Sequence, residues 1–232
     1  MSKIVMAGII SATMLIGLST PIMAKESVKI VQTKKTKQTN IKIIDSGYYV
    51  IPANEYIDTT YVYYWAKVKN MDKKKSIQFP QIVVTAKDET GKVLGSSSQT
   101  TSGVAPKETV VLTSQMDTGS SIPTTVEIKT KKPHFMNSKY TSTKMFKVDN
   151  ITTVPEEYGL DKVTGEVMYN GKKDLDMVAV TAIYKLGDTS VFAETTYLND
   201  VESKTTESFE VNPLLYESCY EVTFVKTKLH SY

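Results

Sequence analysis

The sequence predicts an all-β chain made of two tandem antiparallel β-sandwiches, and three observations support this. Apolar residues alternate with their neighbours at a period of two, as where Ile82, Val84 and Ala86 alternate with Val83 and Thr85. Turn residues separate such segments, and no window after residue 24 shows a helical period. The third observation is an internal repeat, which sets the number of domains.

The repeat consists of residues typical of strands and turns, in the same order and roughly one hundred positions apart. The pairs are Ile44-Asp45 with Val148-Asp149, Ile51–Tyr56 with Val154–Tyr158, Asn70 with Asn170, Val84–Ala86 with Val180–Ala182, and Gly91 with Gly187. A two-fold repeat of this size predicts a tandem pair of small domains, because solenoids stack three or more shorter units.

The first segment, residues 1–24, has the features of a secretory signal peptide. Lys3 supplies the positive charge, residues 4–18 form the apolar stretch, and Ala24 is the small residue before the expected cleavage site. The apolar stretch is shorter than the roughly 20 residues that span a bilayer. We therefore expect a mature chain that starts at Lys25, has no membrane span, and is secreted or held at the cell surface, in a Gram-positive type of bacterium.

The remaining segments follow in order. Residues 25–40 are rich in Lys and Thr and predict a disordered tether. The first β-sandwich is predicted over 41–130, with strands at 42–51, 60–69, 79–87, 92–100, 107–114 and 124–130. Asp88–Gly91 predicts a hairpin turn, and Pro106-Lys107 predicts the opening of a strand.

The Lys-rich residues 131–145 are predicted to be a solvated linker. The second β-sandwich is predicted over 146–228. It shows the same alternation, with Val163, Gly165 and Val167 on one face, then Val178, Val180 and Ala182, and finally Tyr220, Val222 and Phe224.

Short, evenly spaced strands with turns between them are typical of immunoglobulin-like sandwiches. Residues 68–70, followed by 88–91 and Val93, resemble the FxLYD family of extracellular β-sandwich domains. The matching residues are Ala66, Val68, Asn70, Asp88 and Gly91 in the first repeat, and Gly165, Val167, Tyr184 and Gly187 in the second. Lys87 and Lys185 replace the aromatic residue and the Asp of that motif. The resemblance implies a sandwich fold and transfers no chemistry.

Composition excludes several function classes. All 28 basic residues are lysine. Without the guanidinium fork of arginine, the chain cannot make bidentate contacts to phosphates or guanine edges, so specific nucleic-acid recognition is not expected. The single Cys rules out an intramolecular disulfide. That residue, Cys219, is predicted at the start of the last strand, either on the outer face or as an inert, partly covered thiol.

No residue pattern indicates catalysis. His134 and His230 lack a second ligand at metal-binding spacing and are expected to be solvated. The acidic pairs Glu156-Glu157 and Asp174/Asp176 lack the ladder of a calcium loop. No nucleophile motif is present, and residues 96–102 are interpreted as an exposed strand and loop. We expect no enzyme activity, no cofactor and no metal.

The sharpest candidate site is the aromatic stripe, which comprises Tyr61, Tyr63 and Trp65. Strand alternation sends these three side chains to one face and Val62 and Tyr64 to the other. An outward aromatic stripe suits stacking on a ligand or a partner. Two alternatives remain open. Trp65 is the core tryptophan of an immunoglobulin-like strand, with the phase reversed, or the stripe packs against the second domain.

The sequence thus favours an exported, non-enzymatic binding or structural module at the cell surface. Its expected partner is a glycan, a peptide or a cell-wall polymer. One alternative is an electrostatic binder of anionic wall polymers, held by the Lys-rich tail and linker. The other is an enzyme, such as a hydrolase, whose site the sequence does not reveal.

Overall fold

The computed structural model describes residues 40–137, 140–155, 161–186, 189–213 and 221–228. Within these ranges the chain consists of antiparallel strands with a single 3-10 helix, Thr143–Met145, and no α-helix. The all-β prediction is confirmed. The predicted signal peptide lies outside the described residues. None of the described segments is a helix of the length and apolarity needed to cross a membrane.

The strands divide into an N-terminal unit and a C-terminal unit. The N-terminal unit contains β1 (Ile41–Ile51), β2 (Tyr61–Asn70), β3 (Ser76–Gln78), β4 (Gln81–Lys87), β5 (Val93–Thr100), β6 (Gly103–Val104), β7 (Thr109–Asp117), β8 (Thr125–Thr130) and β9 (His134–Met136). The C-terminal unit contains β10 (Phe146–Val154), β11 (Lys162–Tyr169), β12 (Leu175–Leu186), β13 (Thr189–Val201), β14 (Thr206–Val211) and β15 (Glu221–Lys228).

The two units repeat one strand order. In the N-terminal unit the sheets run β1-β2-β7 and β5-β4-β8, and a small third sheet runs β6-β3-β9. In the C-terminal unit they run β10-β11-β14 and β13-β12-β15. Within the described ranges, each sheet takes all its strands from one unit. The sequence repeat is therefore also a repeat of topology.

Each unit encloses its own core between its two larger sheets. The N-terminal core is formed largely by Val62, Tyr64, Ala66 and Val68 of β2 facing Ile82, Val84 and Ala86 of β4. The C-terminal core is formed largely by Val163 and Val167 of β11 facing Val178, Val180 and Ala182 of β12. These are the apolar faces that the alternation predicted, and each unit is sandwich-like.

The pairing of Asn70 with Asn170 in the repeat is wrong by one position. Asn70 lies opposite Ile41, whereas Tyr169 lies opposite the equivalent Phe146. Buried Asn70 ties down the following loop by donating from Nδ2 to the carbonyl of Lys75 at 2.9 Å, and also to those of residues 104 and 105. The Tyr169 hydroxyl makes the corresponding bond to the Lys173 carbonyl at 2.8 Å. The equivalent loops of the two units are thus held by different side chains, Asn70 in the first and Tyr169 in the second.

Two local predictions fare differently. The turn at Asp88–Gly91 is confirmed: Gly91 has φ +84°, and Asp88 Oδ1 accepts from the backbone N–H groups of Thr90 and Lys92. The prediction that Pro106-Lys107 opens a strand is wrong, because β7 begins at Thr109. Lys107 has φ +66°, a left-handed turn conformation that an extended strand excludes.

The segment 131–145, predicted to be a solvated linker, is instead partly packed on the N-terminal unit. Its β9 pairs with β3, and Phe135 packs against the N-terminal core. The Tyr140 hydroxyl donates to the Ser102 carbonyl at 3.0 Å, and its ring lies so close over Gly103 that a Cβ there would clash with it. The packing of these two aromatic side chains therefore holds the segment on the N-terminal unit, although its lysines favour contact with solvent.

Candidate functional site

The aromatic stripe has the phase that the alternation predicts. Val62 and Tyr64 are buried in the N-terminal core, and Tyr61, Tyr63 and Trp65 lie on the opposite face of the same strand. Tyr61 and Tyr63 are partly exposed, with ring centroids 6.4 Å apart. The alternative in which the phase is reversed and Trp65 belongs to the core of its own unit is therefore wrong.

Trp65 nevertheless does not face solvent. Its side chain is only 1% exposed, and it clusters with Val111 of β7 and with Ile183 and Ala193 of the C-terminal unit. We call this cluster the junction cluster. The partner of Trp65 is therefore the C-terminal unit, as in the alternative that packs the stripe against the second domain. In this arrangement the indole is closed to a free ligand.

Tyr63 extends the same contact. Together with Tyr49 and Ile51 of β1, it packs against the core of the C-terminal unit. Its ring meets Phe192 edge-to-face, with centroids 6.1 Å apart and planes at 70°. Such a pair contributes about 0.5–1.5 kcal/mol beyond the area that it buries. The outer face of one sheet thus covers part of the neighbouring core.

Gly47 makes room for the indole. It lies directly opposite Trp65 in the β1–β2 pair. A Cβ at this position would come within 2.7 Å of Trp65 Nε1, closer than real Cβ contacts come. The indole therefore lies across the backbone of its neighbouring strand, and its Nε1 is buried with no hydrogen-bond partner among the residues that the structure describes. An unsatisfied buried N–H costs about 1–3 kcal/mol, so packing of the ring has to outweigh that cost.

The C-terminal side of the junction explains a run of buried residues in β12. Val178, Val180 and Ala182 point into their own core, while Thr181 and Ile183 point towards the N-terminal unit, and all five are buried. When both faces of a strand are covered, all of its residues are buried, and the alternation of buried and exposed positions disappears.

Three threonines form a polar bridge across the junction. The Thr195 hydroxyl lies 2.8 Å from the Thr181 hydroxyl within the C-terminal unit and 3.2 Å from the Thr113 hydroxyl of the N-terminal unit. Hydrogen bonds of this kind give the junction a defined register, because apolar packing alone is not directional.

A partly buried carboxyl group lies beside this bridge. Glu194 Oε1 accepts from the Thr195 backbone N–H at 3.0 Å. Burial raises the pKa of Glu194 above its ordinary value, and the hydrogen bond only partly opposes that shift. Burial likewise raises the pKa of Tyr63 and of Tyr197, and the negative charge of Glu194 adds to both shifts. These groups form an electrostatically coupled set at the junction.

A cleft of about 160 Å³ opens where the two units meet, and we call it the junction cleft. It is lined by Gln99, Thr100, Thr101, Ser102, Val111, Leu112, Thr113, Met177, Ala179, Thr195 and Tyr197. Tyr197 is 51% exposed, whereas Ser102 is only 7% exposed and its hydroxyl has no hydrogen-bond partner among the described residues. The interpretation of residues 96–102 as an exposed strand and loop is therefore wrong at Ser102, whose carbonyl accepts from the Tyr140 hydroxyl.

The cleft was missed at the sequence level because its lining residues are spread over four strands and two repeats. The only local signal was the hydroxyl-rich run at residues 96–102, and such runs are ordinary on exposed strands.

The other candidate residues stay apart. His134 is exposed on β9, and Asp174 accepts from the Ser203 backbone N–H at 2.8 Å. Glu156, Glu157, Cys219 and His230 lie outside the described residues. Within the ranges described, no group of three or more His, Cys, Asp or Glu side chains is arranged to hold a metal ion.

No protein-family model matches the chain, and no curated protein matches it at a significant level. The resemblance to FxLYD domains therefore stays a prediction, and function has to be argued from the junction and its cleft.

Proposed function

We propose that this chain is an exported, non-enzymatic module at the cell surface, which binds a wall or surface component through two immunoglobulin-like units held as one body. The observation that carries the proposal is the junction, where Trp65 is almost fully buried between the units. Tandem domains joined only by a solvated linker move freely relative to each other. An apolar junction favours a fixed geometry and a fixed cleft.

The N-terminal pattern supports the export part of the proposal. Residues 1–24 combine a charged start, an apolar stretch and a small residue at the cleavage position. N-terminal sequencing of protein exported from a Gram-positive host should give Lys25 as the first residue. Protein that retains Met1 and stays in the cytoplasm would contradict export.

The binding part is tested with purified protein that starts at Lys25 and with isolated cell walls. We expect saturable binding that survives 0.5 M NaCl, since contacts in a cleft between β units are short-ranged and poorly screened. A matched form that starts at Asn40 lacks the Lys-rich tether and should bind equally well. Failure of both forms to bind walls would remove the proposed binding function.

The electrostatic alternative has one observation in its favour. Lys73, Lys74 and Lys75 are all exposed in the loop after β2, next to the exposed Lys107. Addition of salt should then weaken wall binding steeply, because exposed charges are screened within about 10 Å at 0.1 M salt. Weaker binding by the form that starts at Asn40 would show that the tether contributes as well. The same two measurements therefore separate the two candidates.

A further inference from the structure

The lining of the junction cleft combines apolar and polar side chains and contains no charged one. All of its side chains are hydroxyl, amide, aromatic or aliphatic groups, and none is Lys, Asp or Glu. A site for a phosphate-rich or carboxylate-rich polymer would be expected to carry cations, since an isolated buried anion is costly. The chemistry of the cleft therefore favours a neutral ligand.

Ser102 is a buried polar residue of the cleft whose hydroxyl has no partner among the described residues. It is 7% exposed, and its Oγ is buried without a hydrogen bond within the described part of the chain. Its backbone carbonyl is fixed by the Phe79 N–H at 2.9 Å and by the Tyr140 hydroxyl at 3.0 Å. These two bonds fix the backbone at Ser102. Because its Oγ is buried, pairing with a ligand needs a rotation about the Cα–Cβ bond that turns the hydroxyl into the cleft. That pairing would recover the cost of about 1–3 kcal/mol of a buried polar group left unpaired.

The threonine bridge adds further hydrogen-bonding capacity. Thr113, Thr181 and Thr195 carry three hydroxyl hydrogens, and the two bonds between them use only two. Thr113 and Thr195 line the cleft. One hydroxyl hydrogen and several lone pairs are therefore not used within the bridge. The lone pairs on Thr113 and Thr195 lie in the cleft lining and can accept from a ligand donor, such as a sugar hydroxyl.

The rim and one wall of the cleft offer the apolar surfaces that the face of a sugar ring can pack against. Tyr197 is half exposed at the rim and offers an aromatic face. Met177 and Ala179 provide an apolar wall within the same lining. The volume of about 160 Å³ is below the roughly 300–1,000 Å³ of sites for drug-sized ligands. A single ring therefore fits better than an extended chain.

We propose that the junction cleft binds one neutral sugar ring of a surface glycan, with Tyr197 stacking on the ring and Ser102 pairing with a ring hydroxyl. This rests on the proposed surface function and names its ligand class and its site. The binding residues come from both units, so the site exists only while the junction is closed.

The test is calorimetric titration of the chain from Lys25 with neutral tetrasaccharides of N-acetylglucosamine, glucose and mannose. At least one should bind saturably, with an affinity that 0.5 M NaCl leaves unchanged. Tyr197→Thr and Ala179→Leu, which remove the stacking face and fill the cleft, should each weaken binding at least tenfold. Ser102→Ala should weaken it several-fold. Tyr56→Thr is the matched control, because Tyr56 is 86% exposed elsewhere, and it should bind as the wild type does.

Two outcomes would overturn the cleft proposal. One is that none of the three tetrasaccharides binds, and the other is that Ala179→Leu, still folded by circular dichroism, binds as tightly as the wild type. The wall-binding assay separates this failure from failure of the wider function. If the cleft variants still bind walls, the surface module stands and only the cleft is excluded. If the wild type binds no walls, the surface function itself fails.

Discussion

The junction predicts a specific response to Ile183→Ala. Ile183 is 0% exposed and points away from the core of its own unit towards Trp65. Truncating a buried Ile to Ala typically costs 2–5 kcal/mol, the sum of lost transfer energy and the cavity left behind. At about 2–4 °C per kcal/mol for a chain of this size, the melting temperature should fall by about 4–20 °C.

Fluorescence can test whether this loss of stability arises at the junction, because Trp65 is the single tryptophan of the chain. In the folded wild type the indole is enclosed by both units, so its emission should be blue-shifted and weakly quenched by acrylamide. Ile183→Ala opens a cavity beside the ring. Already in the native state, emission should move to the red and acrylamide quenching should rise.

The matched control is Val180→Ala, on the same strand. Val180 is also 0% exposed, but it points into the C-terminal core. Val180→Ala should lower the melting temperature while leaving the emission and acrylamide quenching of Trp65 in the native state unchanged. The reasoning is refuted if Ile183→Ala leaves native quenching at the wild-type level, or if Val180→Ala alters it as strongly.

Three further predictions follow from single contacts. Gly47→Ala should destabilise the fold by about 1–3 kcal/mol, as overpacking does, because its Cβ would lie 2.7 Å from the indole nitrogen; an unchanged melting temperature would contradict this. Burial raises the pKa of Glu194, so its stabilising contribution is full below its unfolded pKa of about 4.3 and is lost as pH rises through the folded pKa. Glu194→Gln should therefore raise the melting temperature more at pH 7 than at pH 4, and equal shifts at both would argue against a buried carboxyl. Lys129 and Lys87 lower the pKa of Glu127 to about 2, so its contribution is present above its unfolded pKa and is lost as pH falls towards 2. Since these groups are partly exposed, Glu127→Gln should cost about 1 kcal/mol or less at pH 7, and a similar cost at pH 2 would contradict the ion pair.

Strand positions and faces were predictable because they depend on local patterns. In β11 the alternation assigned the buried residues correctly, since side chains of a strand alternate strictly between its two faces. In β2 it assigned the core face correctly, but Trp65 on the opposite face is buried as well. The turn at Gly91 followed from the need for a positive φ. The alternation failed in β12, where Thr181 and Ile183 are also buried, because a second covered face leaves no local signature.

The candidate site was predictable only in part. The sequence by itself determined that Tyr61, Tyr63 and Trp65 share the face opposite Val62 and Tyr64, because pleating fixes that relation within one strand. Only the tertiary structure decided what covers this face. The two residues that enclose Trp65 from the C-terminal unit, Ile183 and Ala193, lie more than a hundred positions away in the sequence. Contacts at that separation depend on how whole sheets dock, and period-two alternation reports burial but not the identity of the covering partner.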